Sequence, residues 1–202
     1  MPNQHYYSNN PESGHDRRKL DVVLRGTKLS FISDAGVFSK GGIDYGSKVL
    51  IEAMEFPAQA KVLDVGCGYG PIGLSAAKLA SAGHVTMIDV NSRAVELAKE
   101  NAALNGIGNV TILESDLFSS IQGEAFDVVL TNPPIRAGKE TVHTIFEEAY
   151  RHLRDGGALW IVIQKKQGAP SARAKLESLF QQVEEVTKDK GYRILKAVKT
   201  TT

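Results

Sequence analysis

Lys61-Val-Leu-Asp-Val-Gly-Cys-Gly-Tyr-Gly-Pro-Ile-Gly-Leu74 decides the fold. Lys61-Val-Leu-Asp64 reads as a short apolar strand, and the cluster Gly66-Cys-Gly68-Tyr-Gly70 ends it. Ile72, Leu74, Ala76, Ala77 and Leu79 then recur at helical spacing. Strand, glycine turn and helix in that order place the glycines at the carboxyl edge of an α/β sheet, where such sheets bind ligands. Glycine there lets a ligand approach the backbone closely. Two registers are open. Gly68-x-Gly70-x-x-Gly73 matches the dinucleotide fingerprint, although Gly66-Cys67 already ends the strand ahead of it. Asp64-x-Gly66-x-Gly68-x-Gly70 instead puts an acid inside the strand end. A tight structural turn is the alternative to both. Cys67 reads as a small residue that fits, with a reactive thiol as its alternative.

The same alternation continues downstream. His84–Asp89 is a strand, and Asn91 or Ser92 caps a helix that ends near Asn105-Gly106. Val110–Leu113 and Phe126–Thr131 are strands, the latter stopping at Asn132-Pro133-Pro134. A helix runs from about Glu140 to Leu153, and Asp155-Gly-Gly157 turns into the strand Ala158–Ile163. A helix opens at Ser171, and strands follow near Val183–Lys188 and Tyr192–Ala197. Strands alternating with helices predict a mostly parallel sheet covered on both faces. The link Asp189-Lys-Gly191 is too short for a parallel crossover, so the last two strands form an antiparallel hairpin. Upstream, Leu20–Arg25 and Lys28–Ser33 flank Gly26-Thr27 and read as a hairpin. A helix starts near Asp44 or Ser47 and carries Val49, Leu50 and Met54 towards Pro57. Residues 1–58 are therefore expected to be an extension, hairpin plus helix, packed on an α/β domain of residues 59–202. Residues 1–18 are polar and aperiodic, and Arg17-Arg18-Lys19 is expected on this mobile start.

Composition excludes several classes. The 202 residues are 42% hydrophobic and carry a net charge of +1, which argues against a histone-like or polybasic protein. By segment the net charge is 0 for residues 1–60, −5 for 61–150 and +6 for 151–202. The longest apolar run, Ala158–Ile163, is far too short to cross a bilayer. The first residues lack the apolar stretch of a signal peptide, and Cys67 has no partner for a disulfide, so a cytoplasmic location is expected. The five histidines form no ligand set, and no metal is expected.

The chemistry collects at strand ends. Asp89 follows Gly66 by 23 residues and can accept both hydroxyls of a ribose, or simply cap the next helix. Asp116, after the next strand, could take an adenine amine, or stand in an ordinary turn. Asn132-Pro133-Pro134 is the discriminating element. Two prolines remove two backbone donors and fix two φ angles. They leave the Asn132 amide and the Pro133 carbonyl as rigid acceptors, and an exocyclic N–H₂ needs two of them. Holding both hydrogens turns the nitrogen lone pair towards an electrophile. A nicotinamide oxidoreductase would use the glycine loop and Asp89 but leaves Asn132-Pro-Pro unexplained.

Asp64-Val-Gly-Cys-Gly-Tyr-Gly70, Asp89, Asp116 and Asn132-Pro-Pro-Ile135 resemble, in order and spacing, the motifs of class I S-adenosylmethionine-dependent methyltransferases. Gly36-Val-Phe-Ser-Lys40, Asp44-Tyr-Gly-Ser47 and Asn132-Pro-Pro-Ile-Arg-Ala-Gly-Lys139 narrow the resemblance to the RsmC-like group of small-subunit ribosomal RNA guanine-N2 methyltransferases. It implies a Rossmann-like seven-stranded sheet with one antiparallel strand inserted. It implies S-adenosylmethionine as cofactor, held by Asp64, Gly66, Gly68 and Gly70, with Asp89 on the ribose and Asp116 at the adenine. Asn132, Pro133 and Pro134 would hold the target amine, with Phe38, Ile135, Arg136 and Lys139 on the substrate. The partner would be RNA, as ribosomal RNA or a ribosomal subunit, with Lys165-Lys166 adding phosphate contacts. Related enzymes usually place an aromatic residue where Ile135 stands, so stacking would pass to Phe38 or Tyr45, or to an apolar lid. The second, degenerate domain that RsmC-type enzymes can carry has no room in this chain. A protein glutamine amide or a small molecule is the alternative substrate, and a non-catalytic RNA-binding assembly protein the alternative class.

Overall fold

The computed structural model describes residues 14–38 and 42–201. Two strands, β1 (Arg18–Leu24) and β2 (Thr27–Ser33), pair as a hairpin before α1 (Tyr45–Ala53). Then β3 (Lys61–Val65), α2 (Pro71–Leu79), β4 (His84–Asp89), α3 (Ser92–Leu104), β5 (Val110–Glu114) and β6 (Phe126–Thr131) follow. The chain closes with α4 (Lys139–His152), β7 (Leu153–Gln164), α5 (Ala169–Leu179), β8 (Gln182–Asp189) and β9 (Tyr192–Val198). The seven-stranded sheet has the order β5-β4-β3-β6-β7-β9-β8. Only β9 runs antiparallel to its neighbours β7 and β8, so it is the inserted strand.

Alternation along each strand divides the core in two. Val62, Val85, Val128, Trp160 and Ile194 face α1, α2 and α3, while Leu63, Ile88, Val129, Leu159 and Leu195 face α4 and α5. Strands buried on both faces read as continuous apolar runs, as Val128-Val-Leu130 does. The strand order reverses between β3 and β6, which are paired, with Val65 opposite Thr131. Their carboxyl ends therefore flank the crevice of the topological switch point.

Asp155-Gly-Gly157 does not form a free turn. β7 starts at Leu153, and these residues are a bulge within it, where pairing with β6 jumps from Phe126↔Leu153 to Val128↔Ala158. Gly156 takes φ 83°, and Lys199 of the neighbouring segment hydrogen-bonds both sides of the bulge. At the other end of the chain, residues 1–13 lie outside the described part. Arg17-Arg18-Lys19 is not a mobile start: Arg18 and Lys19 open β1, and Arg17 pairs with Glu100. α1 ends at Ala53, ahead of Pro57, and Met54 is its extended C-cap.

The hairpin is tied down by side chains that replace a missing strand. Asn101 accepts the Ile32 N–H at 2.7 Å and donates to the Ile32 carbonyl at 3.0 Å. One helical turn later Asn105 does the same for Ser30, at 2.9 and 2.7 Å. Four residues of helix rise about 6 Å and two residues of strand about 6.6 Å, so the two periods match. Asn101 also donates to the Tyr69 carbonyl at 2.8 Å, which links the hairpin to the glycine loop. Arg25 donates to the carbonyls of Ile51, Glu52 and Met54 and so caps α1. Asn101→Ala leaves three backbone groups unpaired and should cost roughly 2–3 kcal/mol. At about 2–4 °C per kcal/mol for a domain of this size, Tm falls by roughly 5–10 °C. An unchanged Tm by calorimetry would remove Asn101 from this role.

Candidate active site

The strand-to-helix turn after β3 is built on positive φ angles: 73° at Gly66, 57° at Gly68 and 112° at Gly70. The N–H groups of Gly66 and Cys67 both donate to the Ile88 carbonyl, at 2.9 and 3.0 Å. The Gly68 N–H donates to Asp89 Oδ2 at 2.8 Å. Gly70 caps α2, with Pro71 in its first turn. Gly73 lies within α2, where a Cβ would come within 2.6 Å of Met87. The turn is therefore Asp64-x-Gly66-x-Gly68-x-Gly70, and Gly73 serves close helix–strand packing.

Two acids stand behind this turn. Asp64 is fully buried, and among the described residues neither carboxylate oxygen has a partner within hydrogen-bond geometry. Burial pushes its pKa up to about 8, the Asp89 charge adds to that, and the Gly73 N–H opposes it. A buried carboxyl group met only by the loosely placed Gly73 N–H is the feature that a cationic ligand group at this loop would satisfy. Folded Asp64 keeps a proton that the unfolded chain releases near pH 4, so the native state binds more protons between about pH 4 and 8. This stability is fully present below that window and is lost as pH rises through it. Asp64→Asn should flatten the decline in Tm between about pH 5 and 8, and identical slopes in both proteins would contradict the raised pKa. The Cys67 thiol is pushed well up by burial, then by Asp89 and Asp64, which holds it protonated.

Asp89 ends β4 with 3% exposure. Besides Gly68, it accepts the Asn91 N–H at 2.9 Å, while Asn91 caps α3 through the N–H groups of Arg93 and Ala94. It thus joins the glycine turn to the start of α3. A narrow crevice opens beside it, lined by Gly66, Ile88, Ser115, Leu117 and Pro134 among others. Ser115 is buried, whereas Asp116 is exposed, at the rim rather than in the lining.

Asn132 follows Thr131, whose hydroxyl donates to the Val65 carbonyl at 2.8 Å across the switch point. The Asn132 amide nitrogen donates to Asp44 Oδ2 at 2.9 Å and lies 3.0 Å from Ser47 Oγ. Asp44 also caps α1, accepting the Ser47 N–H at 3.0 Å. Pro134 adopts φ −76°, ψ 79°, and the Ile135 N–H donates to the Pro133 carbonyl at 2.9 Å, an inverse γ-turn. The Pro133 carbonyl is therefore not wholly open, as the sequence suggested; one of its two lone pairs is engaged.

The substrate-side residues divide. Ile135 and Lys139 line a cavity of about 140 Å³ with Val142, His143, Ile163 and Ala172. Arg136, Lys139, Lys165 and Lys166 are exposed, and none is in an ion pair among the described residues. Phe38 is 46% exposed and leads into residues outside the described part. Tyr45 is committed elsewhere: its hydroxyl donates to Asp189 at 2.5 Å and its ring lies 5.8 Å from that of Tyr192. Asp44 and Ser47 received no role from the sequence; the Asp-x-x-Ser cap was visible, its contact with a residue 88 positions away was not. Among the described residues no cluster of His, Cys, Asp and Glu could hold a metal ion, and no helix is long and apolar enough to cross a membrane.

Residues 28–196, spanning the glycine turn, both acids and Asn132-Pro-Pro, match the methyltransferase small domain. The chain belongs to the methyltransferase small domain family. Its methyl donor is S-adenosylmethionine, and the class I fold with its RsmC-like motifs is the one resembled in sequence. One relative, the uncharacterized protein YbxB of Bacillus subtilis, is 54% identical over 97% of this chain and 98% of its own length. Ribosomal RNA small subunit methyltransferase C of Escherichia coli is 38% identical over 131 residues, which are 63% of this chain and 38% of that protein. Among solved structures, the T. thermophilus 16S rRNA N2 methyltransferase RsmC, in complex with AdoMet and guanosine, superposes with a TM-score of 0.80 at 26% identity. It matches 91% of this chain and 50% of its own, so this methyltransferase chain spans half or less of the length of those two relatives.

Proposed function

We propose that the chain methylates an exocyclic amine of an RNA base, guanine N2 of small-subunit ribosomal RNA, with S-adenosylmethionine as donor. The observation that carries this is the pairing of Val65 with Thr131. The next residues are Gly66 and Asn132, so the cofactor turn and the amine-holding turn leave the sheet side by side. Support for guanine comes from the RsmC structure, with its bound guanosine. In this reading the turn Gly66–Gly70 and Asp64 receive the methionine part of the cofactor, and Asp89 the ribose. The adenine lies against the apolar wall of Ile88, Leu117 and Pro134, with Asp116 nearby. Residues 1–58 act as an extension packed on the catalytic domain of residues 59–202, and contribute Asp44 and Ser47.

The bound cofactor supplies a methyl on a sulfonium sulfur: the nitrogen–carbon bond forms as the carbon–sulfur bond breaks, and the thioether leaves. Asn132 Oδ1 accepts one N–H of the target amine and the second lone pair of the Pro133 carbonyl accepts the other, aiming the nitrogen lone pair. The surplus proton leaves the methylated nitrogen for solvent, so no strong base is needed. Such orientation can supply several kcal/mol, up to about 7–11 in ideal cases. Ile135 offers the base an apolar edge in place of an aromatic ring.

Arg136, Lys139, Lys165 and Lys166 gather at the same edge and fit RNA phosphates. Much of the basic C-terminal quarter is spent inside the fold: Lys175 pairs with Glu147, Arg193 with Glu185, and Lys199 donates to the carbonyls of Tyr150 and Leu153. The double variant Lys165→Ala/Lys166→Ala should therefore weaken RNA binding and lower the log–log salt slope by about 1.4, at roughly 0.7 per contact on single strands. An unchanged slope would remove both lysines from the interface. The reading as a whole is tested by transfer of labelled methyl from S-adenosylmethionine to RNA and to protein. Label in RNA supports it; label only in protein overturns the choice of substrate.

A further inference from the structure

We propose that Asp44 and Ser47 are positioning residues that lock the Asn132 amide with its carbonyl oxygen towards the substrate, so that the site accepts only a nitrogen that brings its own hydrogens. This rests on the proposed N-methyltransferase reading and deepens it. The two ends of an amide are alike in shape, and the hydrogen-bond network sets which way it points. A carboxylate can only accept, so the atom 2.9 Å from Asp44 Oδ2 is the Asn132 nitrogen. Its second hydrogen has Ser47 Oγ at 3.0 Å. Both N–H bonds are then engaged, and Oδ1, on the other side of the trigonal carbon, has no donor among the described residues. A flipped amide would set its oxygen against the Asp44 carboxylate and present N–H donors to an incoming amine, which is unproductive on both sides.

The anchor itself is rigid. The Asp44 oxygen that holds Asn132 also holds the Ser47 N–H at 3.0 Å as the cap of α1. Ser47 is 7% exposed, and α1 is fixed at its far end by Arg25. The clamp reaches across the switch point from a helix that precedes the glycine turn, so one short helix sets the polarity of the amine site.

The test separates the clamp from the cap. Ser and Asn both cap helices well. Asp44→Ser keeps a capping oxygen but is too short to reach Asn132. Asp44→Asn keeps an oxygen that can serve both bonds. In the full chain with S-adenosylmethionine and RNA, Asp44→Ser should lower kcat about tenfold or more, the loss of one charge-assisted hydrogen bond. KM for RNA and the calorimetric Kd for the cofactor should stay within about twofold, and Asp44→Asn should recover at least about half of kcat. Ser47→Ala, which leaves the Asp44 cap in place, should lower kcat by a smaller factor, and it carries the test should Asp44→Ser fail to fold. Full kcat in Asp44→Ser, or in Ser47→Ala where that variant stands in, overturns the clamp. So does Asp44→Asn falling as far as Asp44→Ser, or cofactor Kd rising in step with the fall in kcat. Absence of methyl transfer by the unmodified protein overturns the functional reading and the clamp with it, whereas an active protein with an indifferent Asp44 overturns the clamp alone.

Discussion

Asn132→Ala should reduce single-turnover methyl transfer by about two to three orders of magnitude while leaving the cofactor Kd within about twofold. Removal of one preorganised polar group aimed at the reacting centre typically costs that much in enzymes. Asn132 is the first residue beyond β6, and its side-chain carbonyl oxygen is the acceptor with no partner among the described residues. The Pro133 carbonyl cannot take over, since one lone pair is already held by the Ile135 N–H and its direction is fixed by the Pro134 turn. Cofactor affinity is spared because the glycine turn and Asp89 have anchors of their own: Gly66 and Cys67 donate to the Ile88 carbonyl, and Asp89 accepts from Gly68 and Asn91. A variant with full activity on its true RNA would show that Asn132 is not the amine acceptor. A parallel loss of cofactor affinity would move it into the cofactor site.

Asp89→Ala should weaken S-adenosylmethionine binding by about a hundredfold or more, measured by calorimetry. Two ribose hydroxyls donating to one carboxylate are worth roughly 1.5–3 kcal/mol each, and tenfold in affinity is about 1.4 kcal/mol. The structure adds a second source of loss. Asp89 also receives the N–H groups of Gly68 and Asn91, so its removal loosens the glycine turn and the cap of α3 together. Asp89→Asn, which retains one acceptor oxygen, should fall between the two. Unchanged affinity in Asp89→Ala would refute the ribose role and leave Asp89 as a staple of the fold.

The strand-end chemistry was legible in the sequence because it is local. Asp64, the three glycines of the turn and Asn132-Pro-Pro announce themselves within a few residues of a strand end, and the short Asp189-Lys-Gly191 link forces the terminal antiparallel hairpin. What the sequence withheld depends on contacts between distant segments. The Asp44–Asn132 bond spans 88 positions, and Asp44 by itself reads only as a helix cap. The Pro133 carbonyl looked free because nothing in Asn-Pro-Pro reveals that the backbone folds back on itself at Pro134. Tyr45 looked available for stacking until Asp189 and Tyr192 were brought against it. The +6 charge of the C-terminal quarter shrinks at the site for the same reason: Lys175, Arg193 and Lys199 are used within the fold, and Lys165-Lys166 stay exposed at the β7 end.

The most direct test of the central claim is the identity of the methylated nucleoside. Small-subunit ribosomal RNA lacking the modification would be incubated with the protein and labelled S-adenosylmethionine, digested to nucleosides and analysed by mass spectrometry. Label is expected in N2-methylguanosine, and none with Asn132→Ala. Label on a ring nitrogen, a carbon or a ribose oxygen, or in protein with none in RNA, would contradict it.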